Sequence, residues 1–153
     1  MATDSFPPEA LLAGFDEPIR DVAEQIRAIV TDTLPDVIEA VRPGWRLIGY
    51  NLPVGRRTPF FAWLMVQPEH VHLGFPQGVL LPNRTDEPEG DALEGAGITK
   101  RARWLTALPG ERVAAGRYAG WLLEAAHIAG LSRSEQQAIL VDRELQVSKS
   151  KPR

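Results

Sequence analysis

Residues 60–66 read FFAWLMV and residues 70–75 read HVHLGF, and these two stretches decide the fold. The first stretch is apolar at every position, which is typical of a strand that is covered on both faces. The second alternates, so that His70, His72 and Gly74 share one side of a strand and apolar residues share the other. The short link between them predicts an antiparallel hairpin. We therefore expect a cavity, a loop or a partner subunit to cover the second face of the apolar strand.

Helical patterns flank this hairpin on both sides of the sequence. Apolar residues recur at three- and four-residue spacing over residues 17–33 and over residues 111–129, which predicts two amphipathic helices. A capping box that begins at Ser132 predicts a last helix at about 133–147, before a polar tail at 148–153. A further short helical segment is predicted around Val37, Ile38 and Val41, between a proline break and the next Pro-Gly pair.

Helix 111–129 contains one bulky residue and two glycines that bear on packing. Trp121 lies in the middle of the apolar stripe, which predicts that its side chain anchors the core. Gly116 and Gly120 each weaken a helix interior by about 1 kcal/mol relative to alanine. Their four-residue spacing predicts that another element approaches this helix closely.

Further strands are predicted at 45–52 and 100–106, with few helices between strands. This order favours an α+β fold: a mostly antiparallel sheet of four to six strands, packed by the N-terminal and C-terminal helices. We expect a single domain over residues 1–147. Residues 82–97 are acidic and rich in glycine and proline, which predicts a long surface loop.

Composition excludes several classes of protein. The chain has 153 residues, a net charge of -3 and no cysteine. The charge gives no bulk attraction to nucleic acid or to an anionic membrane, and thiolate metal sites and disulfides are excluded. Residues 1–15 lack the basic segment and apolar core of a secretory signal, and the longest apolar run is far below the roughly 20 residues of a membrane span. We therefore expect a cytoplasmic protein with neither nucleic acid nor membrane as a partner.

The order of several segments resembles the YdhG-like family of bacterial proteins of unknown function. The resemblance covers about residues 15–129 and depends on order rather than on one specific motif. Its segments are LPDVIEAV at 34–41, GYNLP at 49–53, FFAW at 60–63, HVHLGF at 70–75 and KRARW at 100–104. Two departures are the long path over residues 76–99 and the additional helix after Ser132.

This resemblance implies a helix–sheet–helix sandwich, and some relatives are described as frataxin-like iron chaperones. In a protein of that kind, Glu17, Asp21 and Glu24 would form an acidic ridge that holds iron through hard oxygen ligands. The alternative interpretation is the solvated face of an amphipathic helix, which has the same spacing.

Two other groups of residues are candidates for binding. His70 and His72 point to one face of a strand and have the spacing of a transition-metal pair, completed by a carboxylate such as Glu69; the alternative is a polar surface or a pocket wall. Arg101 and Arg103 share another strand face, which indicates an anion site or a ridge of surface charge.

The sequence contains no recognisable catalytic arrangement. Its serines lie near the ends of the chain or at a helix start, so none has the strand-to-helix position of a nucleophile elbow. The leading prediction is a non-enzymatic protein that binds a small molecule or iron, and the alternative is a homodimer formed through the second sheet face. An enzyme without a recognisable signature is the third interpretation. We expect Tyr50, Trp63 and His72 to line that pocket or interface, with the 82–97 loop near its mouth. The candidate ligand-binding or interface residues are Tyr50, Trp63, His70, His72, Arg101 and Arg103.

Overall fold

One antiparallel sheet organises the molecule. The computed structural model describes residues 7–42, 44–81, 93–95 and 101–150, with side chains described as far as residue 145. The sheet has five strands, and each lies beside its neighbour in sequence. They are β1 (Ile38–Arg42), β2 (Leu47–Asn51), β3 (Phe60–Val66), β4 (Val71–Phe75) and β5 (Arg103–Ala107). The predicted α+β class with an antiparallel sheet is confirmed.

In the described ranges, two α-helices precede the strands and two follow them. They are α1 (Pro8–Leu12), α2 (Glu17–Thr33), α3 (Ala115–Ala129) and α4 (Arg133–Ser150), and one turn of 3₁₀ helix spans Gly78–Leu80. Helices α2 and α3 contact each other and lie against β3 and β4, while α4 contacts the 3₁₀ turn. Two of the longer helices thus cover one face of the sheet, and α4 lies beyond the end of β4.

The core lies between this face of the sheet and helices α2 and α3. Helix α2 contributes Ile19, Val22, Ala23, Ile26 and Val30, and the strands contribute every second residue. Trp121 of α3 is only 2% exposed, so the prediction that it anchors the core is confirmed. At about 25 cal/mol per Å² of buried apolar area, this two-layer contact is the main stabilising contribution of the fold.

The short helical segment predicted around Val37, Ile38 and Val41 is wrong. Residues Ile38–Arg42 form β1 and pair with β2 in antiparallel register. Val41 is buried while Ile38 is exposed, so the side chains alternate with the period of a strand. β-Branched residues favour strands, and hydrogen bonding to β2 outweighs a helical segment too short to be stable alone.

The close approach predicted at Gly116 and Gly120 is also wrong. A Cβ atom added at either glycine would meet no neighbouring atom within 4 Å. Each glycine lies two residues before a buried residue, Tyr118 or Leu122, and a two-residue step turns about 200° around a helix. Both glycines therefore lie away from the packed side of α3, and no contact with the described residues offsets their helix-weakening effect.

The second face of the sheet, which we call the open face, has no helix on it in the described part of the chain. Trp63 and Met65 of β3 point to this face and remain half-exposed. The expectation that both faces of β3 are covered is therefore not met by the described residues. The predicted loop at 82–97 lies outside the described residues, apart from 93–95. There, Glu94 pairs with Trp104 at the outer edge of β5.

Candidate functional site

The open face carries a row of residues that crosses the sheet from β2 to β5. Strand register aligns Gly49 with Trp63, Trp63 with Gly74, and Gly74 with Trp104. The Trp63 indole lies directly over Gly74, and a Cβ atom at Gly74 would overlap its ring. Glycine at this position therefore allows the large indole to lie flat on the sheet. The result is a shallow aromatic surface rather than an enclosed cavity.

His70 and His72 lie beside this row and stack on each other. Their ring centroids are 4.3 Å apart, and the His72 ring lies 5.7 Å from that of Trp104. Partial burial, and secondly the charge of His70, lower the pKa of His72, while Glu94 acts in the opposite direction. Among the described residues, no group of three or more His, Asp or Glu side chains is arranged to hold a metal ion. Within the part of the chain that the structure describes, the two histidines thus form a stacked pair with no third ligand arranged beside them.

Tyr50 lies on the opposite face from Trp63 and His72, so the expected grouping of these three residues is wrong. Tyr50 is fully buried beneath the helices, and its hydroxyl donates a 2.8 Å hydrogen bond to Oε2 of Glu39. Burial, together with the negative charge of Glu39, raises the pKa of Tyr50 far above its usual value. The side chain is a neutral hydrogen-bond donor in the core and is not available to the open face.

The same Glu39 carboxylate binds Arg27 of α2 through both of its oxygens. Arg27 Nε lies 3.0 Å from Oε2, and Arg27 Nη2 lies 2.7 Å from Oε1. Arg27 also forms ion pairs with Glu9 and Glu24. The hydrogen bond to Glu39 is the main reason that the pKa of Arg27 is raised. This cluster ties α1, α2, β1 and β2 together on the helix-covered side of the sheet.

The proposed acidic ridge at Glu17, Asp21 and Glu24 is exposed along α2. Glu24 is paired with Arg27, and Asp21 accepts a 3.1 Å hydrogen bond from Gln25. In the portion of the chain that the structure describes, these carboxylates belong to no metal-binding group. The arrangement has the features of a solvated helix face, the second interpretation given above.

Arg101 and Arg103 lie apart from the open face. Arg101 is exposed just before β5, and its carbonyl oxygen accepts a hydrogen bond from the Val79 N–H. Arg103 packs its aliphatic portion closely over Gly78, and burial lowers the pKa of its guanidinium. Trp104 points to the opposite side, as strand alternation predicts. These two arginines therefore border the 3₁₀ turn instead of joining His72 and Trp63.

A partly open pocket lies elsewhere, at one end of the sheet, and we call it the end pocket. Its volume is about 220 Å³. Three phenylalanines contribute to its lining, Phe60, Phe61 and Phe75. The last turns of α3 close one side through residues that include Ala125, Ala129 and Ile128. The start of α4 and the residues just before β3 form the rim.

A β-bulge directs one of these rings into the pocket. Tyr50 pairs with Ala62 and Asn51 pairs with Phe60, so Phe61 is an extra residue with no partner on β2. A bulge of this kind rotates a side chain out of the regular alternation of the strand. Phe61 is buried and contributes to the pocket wall.

The end pocket contains several polar side chains, and its charged groups are of one sign. Arg57 and Arg133 lie at the rim, and the lining contains no Asp or Glu. Within the described ranges, neither guanidinium takes part in an ion pair or a side-chain hydrogen bond. Gln77 also lines the pocket, and its buried Oε1 atom accepts no hydrogen bond from the described residues. Gln136 is already occupied, since its Nε2 donates to the Ile128 carbonyl oxygen.

The sequence analysis did not identify the end pocket. Arg57 and Arg133 are 76 positions apart in the chain, and Arg133 directly follows Ser132 at the start of the predicted last helix. The available signals were weak: Pro59 and Pro76 mark the strand ends that lie next to the pocket. The pocket arises from the tertiary packing of these ends against α3 and α4.

The comparisons with known proteins give no match: no family model, no curated protein and no solved structure matches the chain. The resemblance to the YdhG-like family therefore stays a prediction. No helix in the described ranges combines the length and apolar character that crossing a bilayer requires.

Proposed function

We propose that this protein binds a small molecule in the end pocket and acts as a binding protein rather than an enzyme. The observation that supports this most strongly is a partly open pocket whose lining combines apolar and polar surface in about equal parts, with two arginines that form no ion pair within the described residues. Small-molecule sites commonly combine apolar walls with a few convergent polar groups that orient the ligand. A cytoplasmic setting stays a prediction from the sequence.

A small organic ligand is favoured over iron by the charges of the described residues. Iron carried by hard ligands needs several carboxylates that converge on one point. Here Glu24 and Glu39 both neutralise Arg27, and the end pocket is lined by no acidic side chain. The positive rim disfavours a metal cation and favours an organic molecule.

A variant that fills the pocket tests this proposal. Ala129 is 8% exposed and lines the pocket, so Ala129→Leu adds three carbon atoms to the space that the ligand would use. Ala138→Leu makes the same chemical change at an exposed position of α4 and is the matched control. Both proteins are screened with a library of small aromatic and aliphatic compounds by ligand-observed NMR, after thermal melts show that they fold.

We expect several compounds to bind the parent protein and the Ala138→Leu control, and the same compounds to lose binding in Ala129→Leu. Binding that survives unchanged in Ala129→Leu would mean that the ligand lies elsewhere. A complete lack of binders to the parent protein would reject the small-molecule function.

A second candidate function, homodimer formation, is favoured by the open face. Trp63, Met65 and Trp104 point to this face and are only partly buried, and neighbouring apolar side chains of this kind commonly mark protein interfaces. A second copy of the chain would remove these side chains from water. Met65→Glu places a charge in this surface, and Leu123→Glu places one at an exposed leucine of α3 as a control.

Sedimentation equilibrium distinguishes the outcomes. The dimer hypothesis predicts that the parent protein and Leu123→Glu are dimers while Met65→Glu is a monomer. A monomeric parent protein at the highest concentration measured would reject this hypothesis and leave the end-pocket proposal unaffected.

A further inference from the structure

The end pocket combines a charge pattern and a size that restrict its ligand. The chain as a whole is acidic, with a net charge of -3. The pocket nevertheless contains two arginines and no acidic residue. Local charge at this site is thus opposite in sign to that of the whole protein, which favours an anionic ligand.

We propose that the end pocket binds small amphipathic anions: molecules with an apolar body about the size of one ring and a single acidic group, either a carboxylate or a phosphate ester. This inference rests on the proposed small-molecule function and specifies its ligand class. The apolar body lies among the phenylalanine rings, and the acidic group lies at the rim between Arg57 and Arg133.

The volume sets the size of the apolar body. The pocket holds about 220 Å³. An apolar cavity of about 150 Å³ is sufficient to bind benzene. One ring with a short substituent therefore fills the interior, and the acidic group reaches the rim. A long lipid chain would exceed this space.

Arginine is suited to the acidic group for a geometric reason. Its planar guanidinium presents a fork of N–H donors that matches both carboxylate and phosphate oxygens. Neither Arg57 nor Arg133 has to break an ion pair within the described residues to bind a ligand. Glu135 is the acidic residue near the start of α4, and its Oε1 accepts the Ser132 N–H in a capping box.

Matched ligands test the need for a negative charge. Phenylacetate and phenyl phosphate carry the acidic group, and phenylacetamide keeps the ring and the overall shape of phenylacetate without the charge. Isothermal titration calorimetry measures each affinity for the parent protein. We expect at least one of the two anions to bind about tenfold more tightly than the amide, which corresponds to the energy of one charge-assisted contact. The tighter anion identifies the acidic group.

Matched arginine variants test the location of the acidic group. We expect Arg57→Gln and Arg133→Gln each to weaken anion binding by about threefold to tenfold and to leave binding of phenylacetamide unchanged. Arg56→Gln is the control, because Arg56 is an exposed neighbour that does not line the pocket. It should change anion binding by less than about twofold, since it acts only through screened long-range charge.

The outcomes separate this inference from the function on which it rests. The amide and both anions could bind equally well to the parent protein and all lose binding in Ala129→Leu. That result would reject the preference for anionic ligands and keep the small-molecule site. An effect of Arg56→Gln as large as that of Arg57→Gln would also reject the specific contact. If no probe binds the parent protein, and the compound library gives no binder either, both proposals fail.

Discussion

Glu39→Gln is the substitution for which the structure gives the sharpest stability prediction. The change keeps the size and shape of the side chain but removes the negative charge. In the native protein this carboxylate accepts two hydrogen bonds from Arg27 and one from Tyr50. The side chains of Arg27 and Glu39 are both only 16% exposed, so water replaces these contacts poorly.

The expected loss follows from these contacts. A hydrogen bond to a charged group contributes about 1.5–3 kcal/mol, and removing one partner of a buried ion pair costs about 3–5 kcal/mol. Arg27 keeps its contacts with Glu9 and Glu24, which reduces the loss. We therefore expect Glu39→Gln to lower the free energy of unfolding by about 2 kcal/mol, or the melting temperature by about 4–8 °C.

Glu24→Gln is the matched control, since Glu24 contacts the same arginine. Its side chain is 46% exposed, and exposed pairs of this spacing contribute only about 0.3–0.5 kcal/mol. Urea unfolding followed by circular dichroism measures both variants. Equal losses in the two variants, or a loss below about 0.5 kcal/mol in Glu39→Gln, would contradict the assignment of Glu39 as the principal partner of Arg27.

Three further predictions concern the core and the open face. Gly74→Ala should destabilise the protein by about 1–3 kcal/mol in urea unfolding, because the new methyl group overlaps the Trp63 indole. An unchanged midpoint of urea unfolding would mean that the indole does not lie on the sheet. Trp121→Ala should cost about 3–5 kcal/mol in the same assay, and a loss below about 1 kcal/mol would contradict its burial. The pKa of His72 is lower in the folded protein than its usual 6.5, so protonation of His72 favours the unfolded state. We therefore expect the His72 contribution to the free energy of unfolding to be fully present above about pH 6.5 and to decrease as the pH falls below that value. His72→Gln should weaken this pH dependence in urea midpoints measured between about pH 8 and pH 5, and an identical dependence in the variant would exclude His72 as its source.

Helix α2 was predictable because its signals are local. The apolar stripe repeats over 17 residues, and the predicted range 17–33 is the observed range Glu17–Thr33. The central strands were predictable for the same reason, since apolar runs and turn residues mark their limits. The strand at Ile38–Arg42 was not predictable, because five residues are too few to distinguish the helical repeat of 3.6 residues from the two-residue repeat of a strand. Pairing with β2 decides its conformation.

The wrong grouping of Tyr50 with Trp63 and His72 is connected with the wrong prediction of a helical segment at Ile38–Arg42. Alternation along β2 places Gly49 and Tyr50 on opposite faces, but it does not tell which face meets the helices. The partner that accounts for the inward position of Tyr50 is Glu39, which lies on the strand that was predicted as a helix. The pairing of Arg27 with Glu39 and with Glu9 likewise depends on tertiary contacts.

The end pocket could not be predicted from local patterns. Its walls come from three separated parts of the chain, at residues 57–61, 75–81 and 125–136. The bulge at Phe61 changes the alternation of β3 at the point where the pocket forms. Each part has an ordinary structural explanation by itself, and only the packed arrangement brings Arg57 and Arg133 beside the apolar residues of the pocket.

Mapping a bound anion by two-dimensional NMR tests the central claim most directly. Phenylacetate or phenyl phosphate, whichever binds more tightly, is titrated into protein with labelled methyl groups and labelled tryptophan indoles. The account predicts the largest shifts at the methyl groups of Ile128 and Leu131, which line the end pocket. The Met65 methyl and the Trp63 indole N–H should stay unchanged. Shifts concentrated at Met65 and Trp63, or no shifts at Ile128 and Leu131 at saturating ligand, would contradict it.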